Sequence, residues 1–228
     1  MNARQPLHPA KYAEHLLITS ILDGTYPPGT RLPNERSFAK QIGITRTTLR
    51  ETLQKLAITG WVTIRHGRPT TVNDYWKEGG LGLLSSLAEH GKSLPDGFIR
   101  YLLELRAVLL PPIARCAISY SPGVFRKYLN RSDRLGEDAH VFARYDWDLH
   151  ILFATHSGNP LYLLILNDFS SVFNIMALDY FTLREARESS RNYYLHLLRS
   201  IGQKEEDTEQ IVRSVLEKSI DIWETVNR

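Results

Sequence analysis

The sequence predicts a mainly α-helical chain. A small N-terminal winged helix-turn-helix is followed by an antiparallel bundle of six or seven helices. Three observations carry this expectation. Residues 24–72 read as a turn, two short capped helices and a hairpin. Strand patterns are nearly absent after Val72, while apolar residues keep recurring at helical spacing. Charge is also divided unevenly. Residues 1–77 hold 11 Lys/Arg against 5 Asp/Glu, and residues 78–228 hold 17 against 20.

Taken in order, Asn34 is placed to cap the first short helix by accepting a backbone N–H, and Glu35 suits its positive end. Phe38, Ala39 and Ile42 mark the inward face of that helix. Gly43 provides the left-handed turn that a helix C-terminus needs. Ala39 is small enough for a second helix to pass close by. Thr45 caps this second helix, whose buried stripe is Leu49, Leu53 and Leu56. Its exposed positions are Arg46, Thr47 and Arg50, so its N-terminal turn is basic and rich in hydroxyls. That is the end of a recognition helix that meets base edges and phosphates. Gly60 stops the helix. Trp61 to Ile64 and Thr70 to Val72 are rich in β-branched residues, with a polar Gly/Pro turn between them. A single arginine on the wet face of a helix is usually just solvated. Caps, glycine turn, threonine-arginine start and basic wing together point to DNA.

Asp74 to Gly82 is the expected linker, giving domains at 1–73 and 83–228 on either side of residues 74–82. Tyr75 and Trp76 within it suggest packing rather than flexing. The bundle is read from Leu102, Leu103, Leu105, Val108 and Leu109, where Pro111-Pro112 should kink or interrupt the helix. Tyr145 to Thr155 and Leu161 to Phe181 supply two more helices. Ile211, Val212, Val215, Leu216, Ile220 and Trp223 form the stripe of the last. Leu161 to Leu166 is apolar on more than one face, which fits either a central helix or the lining of an apolar cavity. Arg106 is a charge set among leucines, and Ser219 interrupts the last stripe one turn before Trp223.

Cys116 is the only cysteine, so no intramolecular disulfide can form and a reducing compartment is expected. The longest apolar run has six residues, and the N-terminus lacks a secretory pattern. The expectation is a cytoplasmic protein with no membrane partner. A Gly-rich phosphate loop, a nucleophile elbow and a Cys/His pair are all missing. Asp146 and Asp148, two apart on a helix, point away from each other. No enzyme is expected.

The order G-T-Y-P-P-G-T-R-L-P-N-E-R, then T-R-T-T-L-R-E-T-L-Q-K-L, then the wing resembles the GntR family of bacterial regulators. Where most of that family close the wing with a G-R-G-T-F-V-like run, this chain has His66-Gly67-Arg68-Pro69-Thr70-Thr71-Val72-Asn73, followed by Trp76. That departure is similar to the family's fatty-acid-responsive subgroup, as are Ser157-Gly158-Asn159-Pro160-Leu161-Tyr162, Ile165-Leu166-Asn167 and Ile222-Trp223. The resemblance implies a homodimer on a palindromic double-stranded operator. It implies repression of fatty-acid degradation genes, activation of unsaturated fatty-acid synthesis genes, and release from DNA by a long-chain fatty acyl-CoA. It assigns DNA contacts to Arg36, Thr45, Arg46, Thr47, Thr48 and Arg50, with His66 and Gly67 at the minor groove. It assigns the effector site to Leu102, Arg106, Phe173, Tyr180, Ser219 and Trp223. Phe173 stands where relatives carry a tyrosine, and Leu216 where they carry a glycine. No cofactor is implied beyond the effector.

An alternative is a regulator responding to a metal-bound small organic acid. Related bundles bind a divalent metal through one aspartate and three histidines. Asp146 and His150 share a helix face at i, i+4, and His196 lies on a later helix. Glu217 stands where the last histidine belongs, so the set is incomplete and no metal is expected.

Overall fold

Pro9 sits in the first turn of helix α1 (Pro9–Leu22), where the N–H it lacks would have had no partner anyway. Ala13, Leu17, Ile18 and Ile21 make one buried face of this helix, which packs on α3. No motif predicted α1, although the four-residue spacing was there to read. The computed structural model describes residues 8–90, 97–203 and 207–226. The chain divides into two compact units, Met1–Pro95 and Asp96–Arg228.

In the first unit the caps form as the sequence indicates. Asn34 Oδ1 accepts from the Ser37 backbone N–H at 2.9 Å and starts α2 (Glu35–Ile42). Gly43 ends it in the left-handed conformation, φ 76°. Thr45 Oγ1 accepts from Thr48 N–H at 3.1 Å and starts α3 (Arg46–Ile58). Leu49, Leu53 and Leu56 are buried, as are Phe38 and Ala39, while Ile42 is half-buried. The wing is narrower than its sequence suggested. Only β1 (Val62–Thr63) and β2 (Thr71–Val72) pair, antiparallel, with Val62 opposite Val72. The turn after α1 adds a third edge: Leu32 N–H donates to Thr70 O and Val72 N–H to Thr30 O. Behind the wing, α4 (Tyr75–Glu78) is short, and its Tyr75 ring lies 5.2 Å from that of buried Trp61. Helix α5 (Leu83–Glu89) follows.

The second unit is helical throughout its described residues: α6 (Phe98–Tyr120), α7 (Pro122–Leu129), α8 (Ala139–His156), α9 (Leu161–Thr182), α10 (Arg184–Ser200) and α11 (Thr208–Val226). Its core joins Leu110, Ile113 and Ala117 of α6, Leu149 and Phe153 of α8, Phe181 of α9, Leu197 of α10 and Val212 of α11. Pro111 and Pro112 were expected to kink or break the helix over 102–109, yet α6 runs through both without interruption. The prolines deprive the carbonyls of Ala107 and Val108 of their donors. Arg213 of α11 supplies one replacement, its Nη1 approaching Ala107 O at 3.5 Å. Burial of Leu110, Pro111, Ile113 and Ala114 against α8 and α11 offsets the remaining cost. Val108 is 63% exposed, and Leu105, 39% exposed, borders the cleft described below.

Candidate functional site

Two places bring together the residues singled out by the sequence, one in each unit. In the first unit, α2 and α3 present their N-terminal ends on the surface. Arg36, Thr45, Arg46, Thr47 and Arg50 are exposed, and Thr48 is half-buried. The Thr45 and Thr48 hydroxyls lie 2.9 Å apart within the cap. Arg46 Nε donates to Glu35 Oε2 at 3.1 Å across the helix-helix turn. The wing tip exposes Arg65, His66, Gly67 and Arg68, and Gly67 takes φ 68°, which a side chain would strain. Caps fix both helix starts, so the polar side chains and free N–H groups of α3 face one way with the positive helix end behind them. This arrangement can meet a phosphate backbone and base edges together.

In the second unit a cleft opens between α6 and α9, with α8 as its floor. Leu102, Arg106 and Leu109 form one wall, Phe169, Val172, Phe173, Met176 and Tyr180 the other. Asp146, Trp147 and His150 lie below, and Trp223 of α11 stands at the side. The walled part is a cavity of about 80 Å³, within about 790 Å³ of empty space that runs out to solvent. Five of the six residues assigned to an effector therefore line one cleft. The sixth, Ser219, is buried behind it and accepts from Arg106 Nη2 at 2.5 Å. Ser219 Oγ donates in turn to Leu216 O, so its lone pairs are left facing the guanidinium. Leu216 itself is buried in the core and is not part of the lining.

The polar floor was read from sequence only as a possible metal set. Asp146 and His150 do share a face, and both are buried, whereas Asp148 points to solvent. His196 is exposed and not part of the cleft lining. Among the described residues, no three His, Cys, Asp or Glu side chains are placed to share a metal ion. Asp146 Oδ1 instead accepts from the buried Tyr194 hydroxyl at 2.8 Å. His150 Nε2 stands 3.6 Å from Asp146 Oδ2, too far for a hydrogen bond. Burial drives the His150 imidazole down from 6.5 to about 4, Asp146 opposing this and Arg106 adding to it. His150 is therefore neutral at pH 7. Burial likewise holds the Tyr180 hydroxyl well above its ordinary range, with Arg106 opposing.

Arg106 is thus a cation in an apolar cleft whose Nε is buried without a hydrogen-bond partner. No carboxylate lies within ion-pair distance of it among the described residues. Trp147, Phe169 and Met176 are lining residues that the sequence reading missed. Their only signal was helical spacing on α8 and α9, which core packing produces equally well.

Helix α9 is long and apolar enough to cross a membrane by length and composition alone. Here one of its faces lines the cleft, and Asn167, Asp168, Asn174 and Asp179 break its surface.

Comparison with known proteins also divides the chain in two, with the boundary after residue 72 rather than after Pro95. Residues 9–72 match the gntR family of bacterial regulatory proteins, and residues 73–228 match the FadR C-terminal domain. The chain is 40% identical over 192 residues to the fatty acid metabolism regulator protein of Shewanella amazonensis, covering 83% of this chain and 79% of that protein. It is 41% identical over 192 residues to the protein of the same name from Shewanella frigidimarina, with the same coverage. Among solved structures, Lar, described as controlling expression of the Listeria monocytogenes agr system, shares the fold. Its TM-score is 0.57 at 16% identity, over 98% of this chain and 99% of that one.

Proposed function

Because the chain belongs to the GntR family of bacterial regulators, with a FadR C-terminal domain, we propose that it regulates fatty-acid metabolism genes and leaves its operator when a long-chain fatty acyl-CoA fills the bundle. It is a DNA-binding transcription regulator and not an enzyme. In our reading it represses degradation genes and activates unsaturated fatty-acid synthesis genes, acting in the cytoplasm where the DNA is. It binds as a homodimer, because a palindrome needs two readers about 34 Å apart and each chain carries one wing and one recognition helix. Arg36, Arg46 and Arg50 meet bases and phosphates, the Thr45, Thr47 and Thr48 region meets the backbone, and His66 with Gly67 enters the minor groove.

The observation that supports an acyl effector is the cleft itself: apolar walls on α6 and α9, with the unpartnered Nε of Arg106 between them. The acyl chain lies between the helices and its carbonyl meets Arg106, with Tyr180 and Trp223 beside it. The CoA portion reaches solvent. The enclosed cavity is small, about 80 Å³, so in our reading a long chain parts α6 from α9. The ligand then binds one arrangement of the bundle better than the other, which is the condition for it to shift a population.

Operator duplexes selected from a random pool, titrated by gel shift with acyl-CoAs of graded length, test this. Each buried methylene is worth about 0.8 kcal/mol, so losing two carbons should weaken release about tenfold. Equal release by octanoyl-CoA and palmitoyl-CoA, or by neither, sinks the proposal.

A further inference from the structure

The surface formed by the starts of α2 and α3 is mostly basic, yet a carboxylate lies between the two helix starts. Glu35 is the first residue of α2, and its Oε2 accepts from Arg46 Nε at 3.1 Å. A carboxylate beside phosphates weakens binding to every sequence, so its presence needs a reason. One reason is local: an acid in the first turn stabilises the helix end whatever Arg46 does.

The geometry offers a second. Glu35 follows the cap residue Asn34, and Arg46 follows the cap residue Thr45. Both backbones are therefore pinned by capping hydrogen bonds of 2.9 and 3.1 Å. A guanidinium has two edges that can hold two acceptors, one through Nε and one through the paired terminal amino groups. Glu35 engages only Nε. Among the described residues the two terminal amino groups of Arg46 meet no protein acceptor. The Arg46 side chain stays 67% exposed, and that of Glu35 is 31% exposed. No carboxylate restrains the other two arginines of this surface, Arg36 and Arg50, in this way among the described residues.

We propose that Glu35 is a positioning residue for base reading: it holds Arg46 by Nε so that the terminal amino edge faces a guanine. That edge matches guanine O6 and N7, the pairing through which arginine discriminates best. A free arginine would place the same charge near the groove and gain affinity for any phosphate. A tethered one gives up part of that general affinity and gains selectivity. The proposal rests on the reading that Arg46 meets a base edge.

Three variants separate these possibilities: Glu35→Ala, Glu35→Gln and Arg46→Ala. Both Glu35 variants lose the charge and its effect on the helix end. Only Glu35→Ala loses the acceptor, because the glutamine amide oxygen can still accept from Nε. The probe is a duplex selected by the wild-type protein from a random pool, set against copies with each G·C pair exchanged for A·T. Melting midpoints of the two Glu35 variants control for the helix-end contribution they share.

Glu35→Ala should lose about three- to tenfold in discrimination at one guanine of each half-site, a share of what one good arginine–guanine pair supplies. Glu35→Gln should restore most of it. Both should bind a random duplex about two- to fivefold more tightly at low salt, the opposite direction from the specificity loss. In an Arg46→Ala background, Glu35→Ala should change discrimination no further. Equal loss in the two Glu35 variants, or none in Glu35→Ala while Arg46→Ala loses it, overturns the positioning role. If Arg46→Ala itself keeps wild-type discrimination, the underlying assignment of Arg46 fails, and the proposal with it.

Discussion

Acidification should destabilise the bundle through one buried ring. His150 is 3% exposed, between Asp146 on its own helix, Arg106 of α6 and the Phe173 ring 5.5 Å away on α9. An unfolded chain takes up this proton near 6.5, while the folded one resists until about 4. The unfolded state therefore binds more protons throughout that window. Stability is complete above 6.5 and is lost as the pH falls toward 4. Linkage makes the loss on the order of 1 kcal/mol near about pH 5.5 and about 2–3 kcal/mol near about pH 4.5. Carboxylates that the fold holds ionised begin to add their own loss at the acid end of this window. Glu137, for instance, is held below its usual range by hydrogen bonds from Arg191 and Arg187. The measurement must therefore be a difference. His150→Leu removes the titration and keeps an apolar fit beside Trp147 and Phe173. Urea unfolding of both proteins, followed by loss of helical circular dichroism, should show wild type losing about 2–3 kcal/mol more than the variant between about pH 8 and 4.5. The histidine proton resonances give the titration directly. A His150 that titrates near 6.5, or a variant as acid-sensitive as wild type, refutes the reasoning.

Two further outcomes follow from single contacts. Ser219→Ala removes a neutral acceptor from a charged donor that already has one unpaired N–H, so the bundle should lose about 1.5–3 kcal/mol in urea. A loss of only a few tenths would mean that the hydroxyl does not hold Arg106. Gly79→Ala keeps an ordinary backbone (φ −79°, ψ 153°) but puts its methyl 2.5 Å from Tyr75 O and into the Leu83 side chain. It should cost about 1–3 kcal/mol, read as faster amide exchange across α4 and α5. Unchanged exchange would mean that the turn relaxes freely.

How much of this could be read from the chain alone depended on the range of the interaction. Asn34, Gly43 and Thr45 act within four residues, and each cap was legible because its partner is nearly adjacent. The stripe Leu49, Leu53 and Leu56 was legible because its period is that of the helix itself. That α6 continues past Pro111 and Pro112 was not legible, because the groups that sustain it come from α8 and α11, far away in sequence. Which apolar residues of α6 face the core was out of reach for a related reason. A leucine-rich helix facing a cleft on one side has more apolar residues than its core face needs, and periodicity cannot say which are in excess. In the cleft, Arg106 was legible as an anomaly among leucines. The role of Asp146 was not, because its partner is the hydroxyl of Tyr194, 48 residues away.

The pairing of those charges bears on how an effector could act. Arg106 and Asp146 line one cleft, yet neither answers the other. Arg106 is held by a serine and Asp146 by a tyrosine. A cleft that was only a packing fault would gain by pairing them or by replacing both with apolar groups. Instead the Nε–H of Arg106 is buried with no protein acceptor among the described residues, which costs about 1–3 kcal/mol. A ligand that brings a carbonyl oxygen to that N–H removes the cost only in the arrangement where the oxygen can reach it. Its apolar chain adds about 0.8 kcal/mol per buried methylene, again only where α6 and α9 stand apart. Reversing a 99:1 population takes about 5.5 kcal/mol of preference for one arrangement. On the proposed reading, one satisfied N–H and about four to six buried methylenes reach that figure, so release should steepen with acyl length without any separate measuring device.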